Sequence, residues 1–311
     1  MRDAIPHHEI TTFESGIMQT ILKSNTKTVT IGDEKPFIII GEKLNPTGMK
    51  KLGQALVDQN FDYVKYLAQR QVTWGADVLD VNVGHPQIDE AAIMPKVVEA
   101  VLSVVDVPLC IDSNEPKILK AGLKVTPGKP LVNSVNGEDK QLATVLPIVK
   151  DRGAAVIGMA IGNEGIPATP EGRLAAAGKI IERATKMGIP IEDIVIDPLV
   201  MTVGHNSNAA LVTLKSIELI KKEYGVNMSL GASNVSFGLP DRHSVNNGFL
   251  ALAMQIGVTA SITDPIKLGS SIRAIDLLLG KDANSMRYLK YFRMTEKLRA
   301  EEAAAKATVS V

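Results

Sequence analysis

The chain has 311 residues, of which 45% are hydrophobic, and its 34 Lys and Arg residues are balanced by 34 Asp and Glu residues. A net charge of zero argues against nucleic acid or an anionic membrane surface as a partner, because both favour a basic surface. The single cysteine, Cys110, excludes an intramolecular disulfide and argues against a thiolate metal cluster. The N-terminus lacks the basic and apolar regions of a signal peptide, and no apolar run is long enough to span a bilayer, so we expect a soluble cytoplasmic protein.

Residues 36–280 alternate short apolar runs with longer segments of helical periodicity. The predicted strands read, in chain order, FIIIGEKLN, VLDVNVG, PLCIDS, PLVNSVN, AAVIGMAIG, IVIDPLV, NMSLGAS and TASITDP. A predicted helix follows each strand, from QALVDQNFDYVKYLAQRQVTWGA after the first to SSIRAIDLLLG after the last. Apolar strands separated by helices indicate a parallel sheet with both faces covered. Eight such units, without a Gly-rich phosphate turn after the first strand, predict an α/β fold of the (β/α)8 TIM barrel type rather than a doubly wound sheet.

The two ends of the chain lie outside this repeat. Residues 1–35 are predicted to form an N-terminal extension with a short helix and a hairpin that closes the bottom of the barrel. The hairpin prediction comes from TKTVTIGDEKPFIII, in which two β-prone runs flank a Gly-Asp-Glu-Lys turn. Residues 281–311 contain SMRYLKYFRMTEKLRAEEAAAKA, which predicts a charged amphipathic C-terminal helix that packs on the barrel or on a second subunit.

Polar side chains gather at the carboxyl ends of the predicted strands, which is the face where TIM barrels hold their active sites. These residues are Glu42, Asn45, Asp80, Asn82, Asp112, Asn133, Asp197, Ser233, Asn234 and Asp264. A helix-capping role explains any one of them, but an uncompensated buried polar group costs on the order of 2–7 kcal/mol. Their convergence on one mouth therefore predicts a ligand rich in hydrogen-bonding groups.

The chemistry of these side chains also indicates the class of ligand. Carboxylates and amides without Lys or Arg at the strand ends favour a flat heterocycle with N–H donors over a phosphate. The five histidines lack metal-ligand spacing, and no Ser-His-Asp or Cys-His arrangement is evident, so we expect no metal of the protein's own. His85, just after a strand end, is expected to have a loop role.

Six motifs in order carry a resemblance to a known family. They are GEKLN (41–45), LDVNVG (79–84), CIDS (110–113), VNSVN (132–136), VIDPL (195–199) and SNVSFGLPDR (233–242). They resemble the pterin-binding methyltransferases that act on methyltetrahydrofolate and a corrinoid protein, including the methyltransferase components of anaerobic O-demethylase or methylamine-type systems. The folate domain of cobalamin-dependent methionine synthase is more distantly similar. The resemblance covers residues 37–280.

The resemblance implies roles for the matching positions. Asp112, Asn133 and Asp197 match residues that hold the amino-pyrimidine edge of the pterin, and Asn234 matches the asparagine that contacts the pterin near N5. The other positions implied in pterin or folate binding are Asp80, Asn82, Glu42, Asn45, Ser233 and Arg242. Arg242 is implied as a contact for the folate tail or the corrinoid. The Phe-Gly-Leu-Pro turn after Asn234 is predicted to be the movable element that brings this residue to the pterin.

The implied reaction is an SN2 transfer of a methyl group between N5 of methyltetrahydrofolate and the cobalt of a corrinoid. In the family the corrinoid (cobalamin) is carried by a partner protein, and a homodimer is expected. An asparagine can strengthen its hydrogen bond as N5 gains charge, which places its effect in the transition state. We therefore predict that Asn234 is catalytic and that the surrounding polar residues bind the folate substrate.

Three alternatives remain open from the sequence alone. Dihydropteroate synthase has the same barrel and pterin pocket, but its TPDSF-like first loop and its late SRK-like basic motif are absent. A non-catalytic folate-binding barrel would bind the pterin without methylating reduced cobalamin. An unrelated barrel lyase or aldolase would require a lysine at a strand end, for which Lys43 is the candidate.

Overall fold

The computed structural model of the chain describes the backbone of residues 18–309 and the side chains of residues 18–304. Its first two strands are β1 (Gln19–Lys23) and β2 (Thr28–Gly32). The barrel strands are β3 (Ile38–Leu44), β4 (Val78–Val81), β5 (Leu109–Asp112), β6 (Leu131–Asn136), β7 (Ala155–Met159), β8 (Ile194–Asp197), β9 (Ser229–Gly231) and β10 (Ala260–Thr263).

Helices follow the barrel strands in the predicted alternation. They are α1 (Lys50–Val57), α2 (Asp62–Thr73), α3 (Glu90–Leu102), α4 (Pro116–Val125), α5 (Asp139–Arg152), α6 (Pro170–Lys186), α7 (Ala209–Tyr224), α8 (Arg242–Gln255), α9 (Pro265–Leu278) and α10 (Met286–Val309). Short 3-10 helices lie at Ile191–Asp193, Ala232–Ser236 and Ala283–Ser285. Within the described part of the chain, no helix is both long enough and apolar enough to cross a membrane.

The eight parallel strands follow the order β8-β7-β6-β5-β4-β3-β10-β9. An isolated parallel bridge between Ile196 and Met228 joins the two outer strands, and the Ile196 N–H donates to the Asn227 carbonyl at 2.9 Å. The predicted (β/α)8 barrel is therefore confirmed. Successive side chains of a strand point to opposite faces, so the hydrophobic core has two parts, one inside the barrel and one between the strands and the helices. Ile38 and Ile40 pack inside the barrel, whereas Ile39 packs beneath the helices.

A β1–β2 hairpin closes the end of the barrel opposite the carboxyl ends of its strands. Leu22 and Ile31 are fully buried in the interior cluster of the barrel, and Lys23 pairs with Lys129 in the loop before β6. The hairpin is confirmed, but the predicted Gly-Asp-Glu-Lys turn is wrong. β2 pairs antiparallel with β1, the strand before it, and residues 24–27 form the turn between them. β3 instead pairs in parallel with β4 and β10. Residues 37–40 are apolar on both faces, which suits a central barrel strand better than a hairpin. The short helix predicted before the hairpin falls on residues of which 1–17 lie outside the described part of the chain. The residues at 19–23 form strand β1 and not a helix.

The long helix α10 packs against the barrel as predicted. The Tyr291 hydroxyl donates to the carbonyls of Trp74 and Pro265, at 3.1 and 3.3 Å. Arg70 on α2 forms an ion pair with Glu302 at 3.0 Å. These contacts fix α10 against α2 and the start of α9, on the outside of the helical layer.

Candidate functional site

A cavity of about 420 Å³ opens at the carboxyl ends of the barrel strands. Eight of the predicted site residues line it, namely Glu42, Asn45, Asp80, Asp112, Asn133, Asp197, Ser233 and Asn234. The other lining residues are Lys43, Thr47, Met49, Met159, Gly231 and Ile262. Parallel strands whose carboxyl ends share one rim bring these distant positions together. Asn82 and Arg242 do not line this cavity, but each contacts residues that do.

Paired carboxyl and amide groups form the floor of the cavity. Asp80 is only 2% exposed, and its Oδ1 accepts a hydrogen bond from Asn133 Nδ2 at 3.1 Å. On the neighbouring strand Asp112 Oδ2 accepts one from Asn82 Nδ2 at 3.0 Å. The register places Asp112 beside Asn133 across β5 and β6. Asn82 thus orients a carboxyl of the cavity, and the floor is preorganised before any ligand arrives.

Proximity and burial change the proton affinity of these carboxyls. Burial raises the pKa of Asp80 well above its ordinary value, and the neighbouring Asp112 charge raises it further. Burial raises the pKa of Asp112 to about 6, against the hydrogen bond from Asn82, which favours the carboxylate. Two close carboxyls do not both ionise readily, so burial and mutual repulsion raise the proton affinity of the pair, more strongly at Asp80 than at Asp112.

A buried arginine, Arg173, fixes the backbone that follows Asp197. The Leu199 N–H donates to Asp197 Oδ1 at 2.8 Å, with Leu199 at φ 66°. Arg173 donates to the carbonyls of Pro198 and Leu199 at 2.9 and 2.7 Å. Burial raises the pKa of Asp197 to about 6, although this N–H and the Arg173 charge favour its ionised form. Sequence reasoning missed Arg173, because nothing near PEGR on α6 marks it as a partner of the β8 loop.

Lys43, the strand-end lysine of the lyase or aldolase alternative, lines the cavity beside the carboxylates and amides. Its ammonium lies in the cavity wall, 2.6 Å from Glu42 Oε1 and 3.4 Å from Asp264 Oδ2. Burial alone would lower the pKa of Lys43, but Glu42 and Asp264 outweigh it and the pKa is raised. A Schiff-base lysine requires a lowered pKa, so this environment argues against the lyase or aldolase alternative.

Asn234 occupies different surroundings at the rim. It lies in the 3-10 turn Ala232–Ser236, three residues beyond the end of β9, and its side chain is exposed. Among the described residues, its carboxamide has no hydrogen-bond partner. A Cβ on Gly231 would come within 3.0 Å of Asn234 Nδ2, so glycine leaves room for this amide. The side chain faces the same cavity as the floor but is free to reorient.

Arg242, at the start of α8, holds the turn that carries Asn234. Its Nη2 donates to the Ser233 carbonyl at 2.7 Å, and its Nε donates to Ser236 Oγ at 3.1 Å. The guanidinium also lies over the Phe237 ring, 5.8 Å from its centroid. The contact predicted for Arg242, with the folate tail or the corrinoid, remains a prediction, and the positioning of the turn is an additional role.

Among the described residues, no histidine lines this cavity. His85 does not line the cavity, and its Nδ1 accepts a hydrogen bond from the Gln87 N–H at 3.3 Å, in keeping with a loop role. Within residues 18–309, no group of three or more His, Cys, Asp and Glu side chains is placed to hold a metal ion.

Comparison with known proteins assigns this arrangement to a family. The family model for pterin binding enzymes matches residues 41–264. The methylcorrinoid:tetrahydrofolate methyltransferase of Eubacterium limosum is 34% identical over 261 residues, which cover 82% of this chain and 96% of that protein. The methionine synthase of Mycobacterium tuberculosis is 29% identical over 244 residues, 74% of this chain but 20% of that protein.

A solved structure adds support at the level of the fold. The dihydropteroate synthase of Xanthomonas albilineans superposes with a TM-score of 0.62 and 17% identity, over 85% of this chain and 99% of that one. The match with the family model spans the barrel from β3 to the start of α9 and contains every predicted site residue. The chain belongs to the pterin binding enzyme family.

Proposed function

We propose that this protein is a methyltransferase that moves a methyl group between N5 of methyltetrahydrofolate and the cobalt of a corrinoid carried by a partner protein. The observation that carries this proposal is the contrast within one cavity between a fixed floor of carboxyls and amides and one free amide, Asn234, at the rim. The E. limosum relative, whose name describes methyl transfer between a methylcorrinoid and tetrahydrofolate, supports the same activity.

The floor supplies what a pterin ring needs for binding. The amino-pyrimidine edge of a pterin presents N–H donors side by side, and ionised Asp112 and Asp197 offer acceptor oxygens to them. Asn133 can both donate and accept. A charge-assisted hydrogen bond is about twice as strong as a neutral one, so these carboxylates would provide most of the directional binding energy.

The transfer itself requires no base on the protein. In the direction from folate, N5 takes up a proton from solvent before or as the methyl group leaves. The electron pair of Co(I) forms the new bond to the methyl carbon while the N5–CH3 bond breaks, and the bonding pair stays on N5, so that neutral tetrahydrofolate is released. The reverse direction, named for the E. limosum relative, passes through the same transition state. The contribution of this chain is therefore to orient N5 and to stabilise its changing charge.

Asn234 is proposed to make that stabilising contact. Because its side chain is exposed and unpartnered in the described structure, it can present either its N–H or its C=O toward N5. A hydrogen bond that strengthens only as N5 changes charge lowers the barrier without tightening ground-state binding. The Arg242 contacts to Ser233 and Ser236 would hold the turn while the Asn234 side chain adjusts.

We also propose the surroundings in which this chain acts. The partner would be a corrinoid protein, the chain itself would contribute no metal, and its location would be the cytoplasm. A homodimer would cover the exposed apolar residues of the late helices, Leu278, Met286, Leu289 and Phe292. Sedimentation velocity tests this assembly, and a monomer at micromolar concentration would contradict it.

The activity is tested by mixing the protein, methyltetrahydrofolate and chemically reduced Co(I) cobalamin under anaerobic conditions and following the loss of Co(I) absorbance. Methylcobalamin and tetrahydrofolate should form in equal amounts. Formation of dihydropteroate from p-aminobenzoate and a pterin pyrophosphate would instead favour the synthase alternative. Tight folate binding without methyl transfer would favour the non-catalytic barrel.

A further inference from the structure

A second cavity, of about 410 Å³, opens beside the pterin cavity. The two cavities share Glu42, Lys43 and Ser233 in their walls. The remaining lining residues of the second cavity are Arg242, His243, Asn246, Asp264, Lys267 and Leu268. It therefore lies between the first turns of α8 and α9, on the same face of the barrel, and a molecule leaving the pterin site past Ser233 would enter it.

The charge in this second cavity is unbalanced. Its two carboxylates are engaged, because Glu42 and Asp264 both contact Lys43 and Asp264 also caps α9 by accepting from the Ile266 N–H at 3.0 Å. Lys267 is exposed and forms no ion pair with any residue of the described structure. Together with Arg242 it leaves positive charge available, and the nearby N-termini of α8 and α9 add to the positive potential.

Asn246 provides an independent indication that a ligand belongs here. Its side chain is 8% exposed and lines the cavity, yet its buried Oδ1 has no hydrogen-bond partner among the described residues. No hydrogen bond of its Nδ2 is present in the described part of the chain either. A buried unsatisfied amide costs about 1–3 kcal/mol. Such a group is maintained more readily if a bound molecule satisfies it.

We propose that the second cavity binds the glutamyl tail of the folate substrate and favours folates with more than one glutamate. This inference rests on the proposed function, since it requires the pterin ring in the first cavity. The tail of a folate combines amide groups, which suit Asn246, with carboxylates, which suit Lys267 and Arg242. The Nη1 of Arg242 has no hydrogen-bond partner in the described part of the chain. Lys267 is then the residue that discriminates between short and long tails.

The test compares three ligands by equilibrium titration, namely a tetrahydropterin without a tail, methyltetrahydrofolate with one glutamate, and the same folate with three. Wild-type protein should bind the triglutamate about fivefold more tightly than the monoglutamate, as expected for a partly screened ion pair. Lys267→Gln should remove most of this preference and Lys267→Glu should reverse it, while the affinity for the tail-less pterin stays the same. Added salt should weaken the preference in wild type.

Lys120→Gln is the matched control, because Lys120 is exposed on α4 and lines neither cavity. It should retain the full preference for the triglutamate. Equal affinity of wild type for the two folates, or a preference that survives Lys267→Glu, would overturn the inference while leaving the proposed function intact. Failure of wild type to bind even the tail-less pterin would instead contradict the proposed function and the tail site with it.

Discussion

The floor and the rim of the pterin cavity contain the same kind of side chain under opposite conditions. On the floor, the Asn133 amide is fixed by its hydrogen bond to Asp80, which is almost completely buried. At the rim, the Asn234 amide is exposed and has no partner in the described structure. A fixed amide recognises a ligand through its shape and hydrogen-bonding pattern. A free amide can instead form its bond as charge develops, which is the condition for lowering a barrier.

The floor and the rim also differ in the desolvation cost of their polar side chains. The floor holds carboxyls at a desolvation cost, visible in the raised pKa values of Asp80, Asp112 and Asp197. The rim carries no such cost, because its turn is fixed by backbone and arginine contacts while the asparagine side chain remains solvated. Substitutions on the floor should therefore affect affinity, and substitutions at the rim should affect rate.

The largest expected effect is on rate, in Asn234→Ala. Removing one group that stabilises transition-state charge should lower the single-turnover transfer rate about 100-fold. The dissociation constant for methyltetrahydrofolate should change by less than about threefold, since the contact is weak in the ground state. Rapid-mixing absorbance at saturating folate measures the rate, and titration measures the affinity.

Asn208→Ala is the control for this substitution, because Asn208 is also exposed and its side chain does not cap α7. Asn208→Ala should leave the transfer rate and the dissociation constant for methyltetrahydrofolate unchanged. Equal losses of rate and affinity in Asn234→Ala would remove the distinction between rim and floor.

Asp197→Asn should show the converse pattern. It preserves the shape of the side chain and its capacity to accept from the Leu199 N–H, but it removes the charge offered to the pterin. Loss of a charge-assisted hydrogen bond of about 1.5–3 kcal/mol should weaken folate binding roughly 10- to 100-fold. Asp151→Asn, at an exposed position of α5, serves as the control. An unchanged dissociation constant would show that Asp197 does not contact the pterin.

The pH dependence of binding should follow the raised pKa of Asp197. The pterin donors require the ionised carboxylate, so folate affinity should be nearly complete above about pH 7 and should decline as pH falls through about 6. Between pH 6 and pH 5 the ionised fraction of Asp197 falls from about one half to about one tenth, a roughly fivefold loss. Titrations of wild type and Asp197→Asn with the same folate separate this effect from protonation of the ligand. Parallel pH profiles for the two proteins would contradict the assignment.

A smaller effect on the transfer rate is expected from Arg242→Lys. Lysine keeps the charge but loses the paired contacts to Ser233 and Ser236, so the turn should become less well positioned. With a tail-less methylated tetrahydropterin as substrate, the transfer rate should fall about threefold, which corresponds to one ordinary hydrogen bond. A wild-type rate with this substrate, together with weaker binding of tailed folates, would assign Arg242 to the tail alone.

The sequence was sufficient for the barrel and for much of its working face. Strand–helix alternation predicted the eight strands, and polar residues at their ends predicted most of the cavity lining, because both depend on short repeating patterns. Arg173 and Leu199 are 26 residues apart, and their contact has no local signature. The position of Lys43 between Glu42 and Asp264 likewise depends on β3 and β10 being neighbours in the closed sheet. The turn of the hairpin was misplaced because two successive β-prone runs are compatible with either pairing.

This chain is proposed to catalyse methyl transfer, with Asn234 acting on the chemical step. The most direct measurement is the anaerobic single-turnover rate of methyl transfer from methyltetrahydrofolate to Co(I) cobalamin, at saturating folate, for wild type and Asn234→Ala. Wild type should transfer the methyl group rapidly, and the variant should do so about 100-fold more slowly with folate still bound. A wild-type rate no faster than the reaction without protein, or an undiminished rate in the variant, would contradict this proposal.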